Sequence, residues 1–87
     1  PYDGEDEAVR IANATPYGLG GAVFSADGER ALGVADRLET GNVGVNFYAN
    51  NHAAPFSGHK DSGLGVEFGP EGLAGYQQVK SIHRRTA

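Results

Sequence analysis

The sequence predicts an α/β fold, and three observations carry that prediction. An apolar run at Ala22, Val23 and Phe24 precedes a helical stripe at Ala31, Val34, Ala35 and Leu38. Val43, Val45 and Phe47 then alternate with Asn42, Gly44 and Asn46. A crossover of this length between two strands makes them parallel and joins them in the right-handed sense. The third observation is the loss of periodicity over residues 48–69, which fill with Gly, Asn, His, Pro and Ser and read as a long glycine-rich loop. Loops of that length are uncommon in compact domains and usually serve a function.

Taken in order, Glu5, Asp6 and Glu7 precede Ala8, Ile11 and Ala12 at helical spacing, and acids in a first turn complement the helix dipole. A short helix over residues 4–13 follows, ended by Thr15-Pro16 because proline disfavours helical geometry in the residue before it. The apolar run makes residues 20–25 a strand buried on both faces. Asp27 is a good N-cap for the second helix, and Gly41 stands where a C-terminal glycine belongs. The alternation at 42–47 is a strand. Pro70 opens one or two helical turns over 70–76, and residues 77–84 read as a polar tail strand.

Composition limits what this chain can do. Its 87 residues are one small domain or a piece of a larger one, with 14 glycines, no cysteine and a net charge of −4. Glycine at about twice its usual share of roughly 7% raises the entropy cost of folding. Without cysteine the chain has no disulfide, Cys-zinc site or thiol chemistry of its own. Residues 1–40 carry eight acids and three bases, residues 41–87 three and four, and only Lys80, Arg84 and Arg85 cluster. Nucleic acid is therefore not an expected partner. No apolar run reaches the length of a membrane span, residues 1–10 do not resemble a signal peptide, and the expected location is cytoplasmic.

Ser57, His59, Asp61 and Ser62 mimic a nucleophile, base and acid, but neighbours in one loop rarely reach triad geometry, and they read as ordinary polar residues. His52, His59 and His83 lack the spacing of metal ligands. Gly18-Leu19-Gly20-Gly21 and Gly63-Leu64-Gly65 lack the strand and long helix that a phosphate loop needs, so turns and close packing account for them. Glu67, between Val66 and Phe68, is set apart as a carboxylate flanked by apolar residues, a candidate proton relay.

The order of segments is nevertheless specific. Glu-Ala-Val-Arg-Ile-Ala-Asn (7–13), Tyr-Gly-Leu (17–19), Ala-Val-Phe-Ser (22–25) and Gly-Asn-Val-Gly-Val-Asn (41–46) are followed by Pro-Phe-Ser-Gly-His-Lys-Asp-Ser-Gly (55–63), Gly-Pro-Glu-Gly-Leu (69–73), Tyr76 and Val79-Lys80. This series resembles the C-terminal part of the NAD(P)-dependent aldehyde dehydrogenases over nearly the whole chain.

The resemblance implies that residues 1–75 are the C-terminal part of a catalytic domain and residues 76–87 the tail strand of an oligomerisation region. It implies a parent enzyme that oxidises an aldehyde to a carboxylic acid with NAD or NADP. There a thiolate attacks the aldehyde, hydride passes to the nicotinamide, and water hydrolyses the thioester. The nucleophile, principal base and nucleotide-binding fold would lie upstream of Pro1, so this segment alone would be inactive and bind no cofactor.

By the same resemblance Phe56 lines the substrate tunnel. Asn51 and His52 belong to a variable stretch beside it, with a more polar or wider pocket where an aromatic often stands. Glu67 becomes an auxiliary proton relay, and Asn46 is structural. Val66 replaces a usual arginine and Gln78 a common acid; with Val79 and Lys80 they would lie at contacts between subunits of a homodimer or homotetramer. Ser57 replaces a usual glycine. The rival reading is a stand-alone, non-catalytic, self-associating module derived from the family.

Overall fold

In a computed structural model, which describes residues 1–86, the chain folds as three helices and six short strands. Helix α1 (Glu5–Asn13) carries its acids in the first turn and turns Val9 inward. It ends where the Ala14 amide donates to the Ile11 carbonyl, one residue before the Thr15-Pro16 stop.

Strand β2 (Gly20–Val23), helix α2 (Gly28–Asp36) and strand β3 (Asn42–Val45) form the expected unit, with α2 packed on both strands. The strands are parallel, Gly20 pairing with Asn42 and Val23 with Val45. Asp27 caps α2 by accepting from the Arg30 amide at 3.1 Å, and Ala31 on this helix is fully buried. At the far end the Asn46 amide donates to the Val23 carbonyl at 2.8 Å while its Oδ1 accepts from the Ser25 amide at 2.8 Å. Asn46 has φ 59°, a left-handed conformation that asparagine tolerates better than most residues.

Two expectations for this unit are corrected. The first strand stops at Val23 rather than Ser25, and its residues alternate between exposed and half-buried, because α2 covers only one face of the sheet. Phe24, expected inside, is 71% exposed. Gly41 does not cap the helix: α2 closes at Arg37, whose amide donates to the Val34 carbonyl at 3.0 Å. A Cβ on Gly41 would run into the carbonyl of Ser57, so this glycine lets two backbones meet rather than ending a helix.

The stretch 48–69 is not one long loop. It holds β4 (Phe56–Ser57), β5 (His59–Lys60) and β6 (Val66–Glu67). Strand β4 pairs antiparallel with β6, and β5 pairs antiparallel with β1 (Tyr17–Gly18). Helix α3 (Gly69–Ala74) packs on β6 and carries proline in its first turn, starting one residue earlier than expected. The strand expected over 77–84 does not form: residues 77–86 have neither helix nor strand and are exposed. A strand exists only through the ladder it shares, and among the described residues none pairs with the tail.

Ion pairs tie the helices together. Glu5 receives Arg30 at 2.8 Å and Arg37 at 3.3 Å, and Asp6 receives Arg37 at 2.6 Å. The hydrogen bond that Arg30 donates to Glu5, then the negative charge of Glu5, raises the Arg30 guanidinium above its ordinary pKa. Exposed pairs of this kind add little stability.

Little of the molecule is interior. Val9 and Ala31 are the buried hydrophobic residues among those described. The accessible surface is 7015 Å² for 9.1 kDa, against about 4,900 Å² for a compact monomer of that mass. The radius of gyration is 18.4 Å, against about 12 Å for a compact domain of this length. Among the described residues no helix is long and apolar enough to cross a membrane.

Candidate functional site

The site is built around the β4–β6 pair, whose register sets Phe56 opposite Glu67. Phe68 follows at φ 61°, turning the chain into α3 and bringing its ring beside Phe56, with centroids 6.2 Å apart and planes tilted by 59°. His52 meets the same ring edge-on, with centroids 4.7 Å apart and planes at 86°. The Gly69 amide donates to the His52 carbonyl at 3.1 Å, so backbone and ring contacts together hold the 51–54 stretch against the start of α3.

Asn51 makes a tight turn of this stretch. Its Oδ1 accepts from the Ala53 amide and its carbonyl from the Ala54 amide, each at 3.0 Å. Its Oδ1 is thus engaged in local structure, while the residue also borders a hollow beside Phe56.

Two hollows flank Phe56. One, of about 180 Å³, is lined by Asn42, Phe47, Tyr48, Asn51, Phe56 and Phe68. The other, of about 370 Å³, is lined by Leu19, Phe56, Ser57, Ser62, Val66 and Glu67. Phe56 is shared, whereas Asn51 and Glu67 face different hollows and His52 lines neither. The smaller one mixes four aromatic rings with three asparagines, Asn42, Asn50 and Asn51.

Sequence reading missed three contributors to the smaller hollow. Phe68 was noted only as an apolar flank of Glu67. Tyr48 crosses over β2, its hydroxyl lying where a Cβ on Gly20 would be. The Nδ2 of Asn42 is buried with no hydrogen-bond partner. The glycines at 20 and 44 were the available signal: a Cβ at Gly44 would strike the backbone of Phe47 and Tyr48, so both positions mark where the chain folds back over the sheet.

Of the other sequence candidates, Val66 is exposed beside Glu67, while Gln78, Val79 and Lys80 lie along the exposed tail, outside both hollows. Ser62 is structural: its Oγ accepts from the Gly18 amide at 2.9 Å. Among the described residues no three His, Asp or Glu side chains come together as metal ligands would.

The glycine stretches do not fit a dinucleotide. The Gly18 and Leu19 carbonyls accept from Gly41 and Asn42 at 3.1 and 3.2 Å, the Gly18 amide is held by Ser62, and residues 63–65 lead into β6 rather than a helix.

A sequence profile of the aldehyde dehydrogenase family matches residues 1–82. Geranial dehydrogenase from Castellaniella defragrans is 54% identical over 82 residues, which are 94% of this chain and 17% of that protein. Succinate-semialdehyde dehydrogenase [NADP(+)] from Deinococcus radiodurans is 49% identical over 79 residues, 90% of this chain and 17% of its own length. The crystal structure of a Mycobacterium tuberculosis aldehyde dehydrogenase complexed with NAD+ superposes with a TM-score of 0.86 at 42% identity. It covers 90% of this chain, and the chain covers 16% of it. The chain therefore spans about a sixth of the relatives it matches, while the match extends over both the parallel unit and the Phe56–Glu67 pair. On that agreement of sequence and backbone, the chain belongs to the aldehyde dehydrogenase family.

Proposed function

We propose that these residues form the C-terminal part of an NAD(P)-dependent aldehyde dehydrogenase, which oxidises an aldehyde to a carboxylic acid. The observation that carries this reading is the 0.86 superposition on a dehydrogenase holding NAD+, together with 54% identity to a geranial dehydrogenase. The excess surface supports it, since a segment of a larger catalytic domain leaves its core to be completed by the rest.

In this reading residues 1–75 close the catalytic domain and residues 76–87 pair with a neighbouring subunit, as an exposed segment with free backbone groups is suited to do. Val66, Gln78, Val79 and Lys80 lie at that contact. Position 87 falls outside the described residues.

NAD or NADP supplies the hydride acceptor when bound, and groups outside these 87 residues hold it. The chain itself has no cysteine, so it supplies no thiolate and is inactive alone. Its own part is local. Phe56, with Phe68 behind it, presents an aromatic wall to the substrate and excludes water from it. Glu67, exposed on the opposite strand, accepts and returns a proton at its carboxylate. Asn51 and His52 shape the turn beside that wall.

The test is the intact mass of the protein as its native cell makes it, located through the peptide spanning residues 11–30. The expected species is several-fold heavier than 9.1 kDa and forms NADH or NADPH on addition of an aldehyde. A native species of 9.1 kDa would overturn the reading and favour the stand-alone self-associating module.

A further inference from the structure

We propose that Lys60 is the positioning residue for the Phe56–Glu67 pair, fixing it relative to the rest of the fold without touching reacting atoms. The proposal rests on the reading that this pair belongs to the substrate site.

The backbone gives the first argument. Lys60 has φ 53°, a left-handed conformation that a residue with a Cβ rarely adopts and glycine adopts freely. Its side chain is anchored as well. That side chain crosses to two other parts of the chain. Its Nζ donates to the Asn13 carbonyl at 2.9 Å and the Thr15 carbonyl at 3.2 Å, and pairs with Glu39 Oε2 at 2.6 Å. An ammonium carries three N–H donors, and three separate acceptors meet it. Asn13 is the last residue of α1, where carbonyls lack helical partners and a cation is favoured. Glu39 lies between α2 and β3, so one nitrogen joins the end of α1, the α2–β3 connection of the parallel unit and the strand segment bearing Phe56 and Glu67.

Neighbouring contacts share this anchor. The Asp61 amide donates to the Pro16 carbonyl at 2.9 Å, Ser62 Oγ receives the Gly18 amide, and Tyr17 pairs with Lys60 in the ladder. The β4–β6 pair has only two residues on each strand, too few to hold its own place. Gly58 alone separates β4 from β5, so displacement of Lys60 is passed directly to Phe56 and, across the register, to Glu67.

The test uses the native protein that carries this segment. K60M keeps most of the aliphatic stem and removes all three donors, K60R keeps the charge on a planar fork, and E39Q removes the charge partner alone. Amide hydrogen exchange is followed by mass spectrometry over residues 56–67 and over β2 and β3, with kcat and KM for aldehyde oxidation measured below the melting temperature.

K60M is expected to speed exchange over 56–67 about tenfold, leave β2 and β3 unchanged, and lower kcat/KM about tenfold. K60R restores little of either, since its fork suits coplanar rather than scattered acceptors. E39Q gives a change of about threefold in the same place. Exchange over 56–67 within about twofold of the unsubstituted protein overturns the proposal, as does acceleration spread equally over β2 and β3. Should K60M fail to fold, the E39Q exchange pattern decides by the same criterion. If the unsubstituted protein oxidises no aldehyde, the dehydrogenase reading fails and the exchange comparison alone decides the role of Lys60.

Discussion

The β2–α2–β3 unit and the 56–67 segment are held by different means. In the first, a four-residue parallel ladder, a capped helix and a buried alanine repeat one periodic pattern. In the second, two-residue pairings are kept in place by single polar groups that reach across the chain. Periodic packing spreads the loss from any one substitution over many contacts, whereas an anchored segment depends on a few atoms. The segment nearest the candidate chemistry is thus also the one whose position rests on the fewest interactions.

The largest expected effect comes from breaking the junction between the two regions. Gly41→Ala places a methyl group against the Ser57 carbonyl, and neither backbone can move without disturbing its ladder. A loss of about 3 kcal/mol is expected, read as a lowered denaturation midpoint with unchanged slope. A shift below about 0.5 kcal/mol would show the two regions to be loosely joined.

Next comes the end of the parallel unit. Asn46→Ala removes the acceptor for the Ser25 amide and leaves alanine at a positive φ, with an expected cost of about 2 kcal/mol. Asn46→Gly separates the two contributions, because glycine keeps the backbone comfortable and lacks only the acceptor. Equal losses for both variants would assign the whole effect to the hydrogen bond.

The smallest sharpens the contrast. Asp27→Ala uncaps α2 and should cost about 1 kcal/mol while leaving hydrogen exchange over 56–67 as it was. Faster exchange in that segment would mean that the helix and the anchored region open together.

These two architectures also explain what could be read from the residues. Strands β2 and β3 and helix α2 were legible because Val43, Val45, Ala31 and Val34 repeat at the periods of their elements. Strands β1, β4, β5 and β6 were not, since two residues make no period. Tyr17 finds Lys60 only through a fold that joins positions 43 residues apart. Gly41 was misassigned because glycine after a helix serves equally as a cap or a crossing point, and only the Ser57 carbonyl distinguishes them. The tail strand was read from extended propensity, which supplies no partner for its backbone.

The candidate site was legible in its members and not in their arrangement. Glu67 stood out through its apolar flanks and Phe56 through family resemblance, yet their places directly opposite each other follow from register alone. Asn51 was placed beside the tunnel by resemblance, while its turn, in which Oδ1 accepts from the Ala53 amide, follows only from the local backbone. Phe68 and Asn42 were read only as a flank and a strand residue, since neither an aromatic nor an amide announces from its neighbours in sequence that it lines a hollow.

The open borders of the β2–β3 pair have a consequence for the life of the polypeptide in a cell. Among the described residues this sheet has two strands, and neither outer side pairs with a third strand, next to the exposed Phe24 and Tyr48. A copy released by proteolysis or made by itself would offer those sides to chaperones, to proteases and to other copies. Its steady-state amount would then follow how fast it is cleared or captured rather than how well it folds.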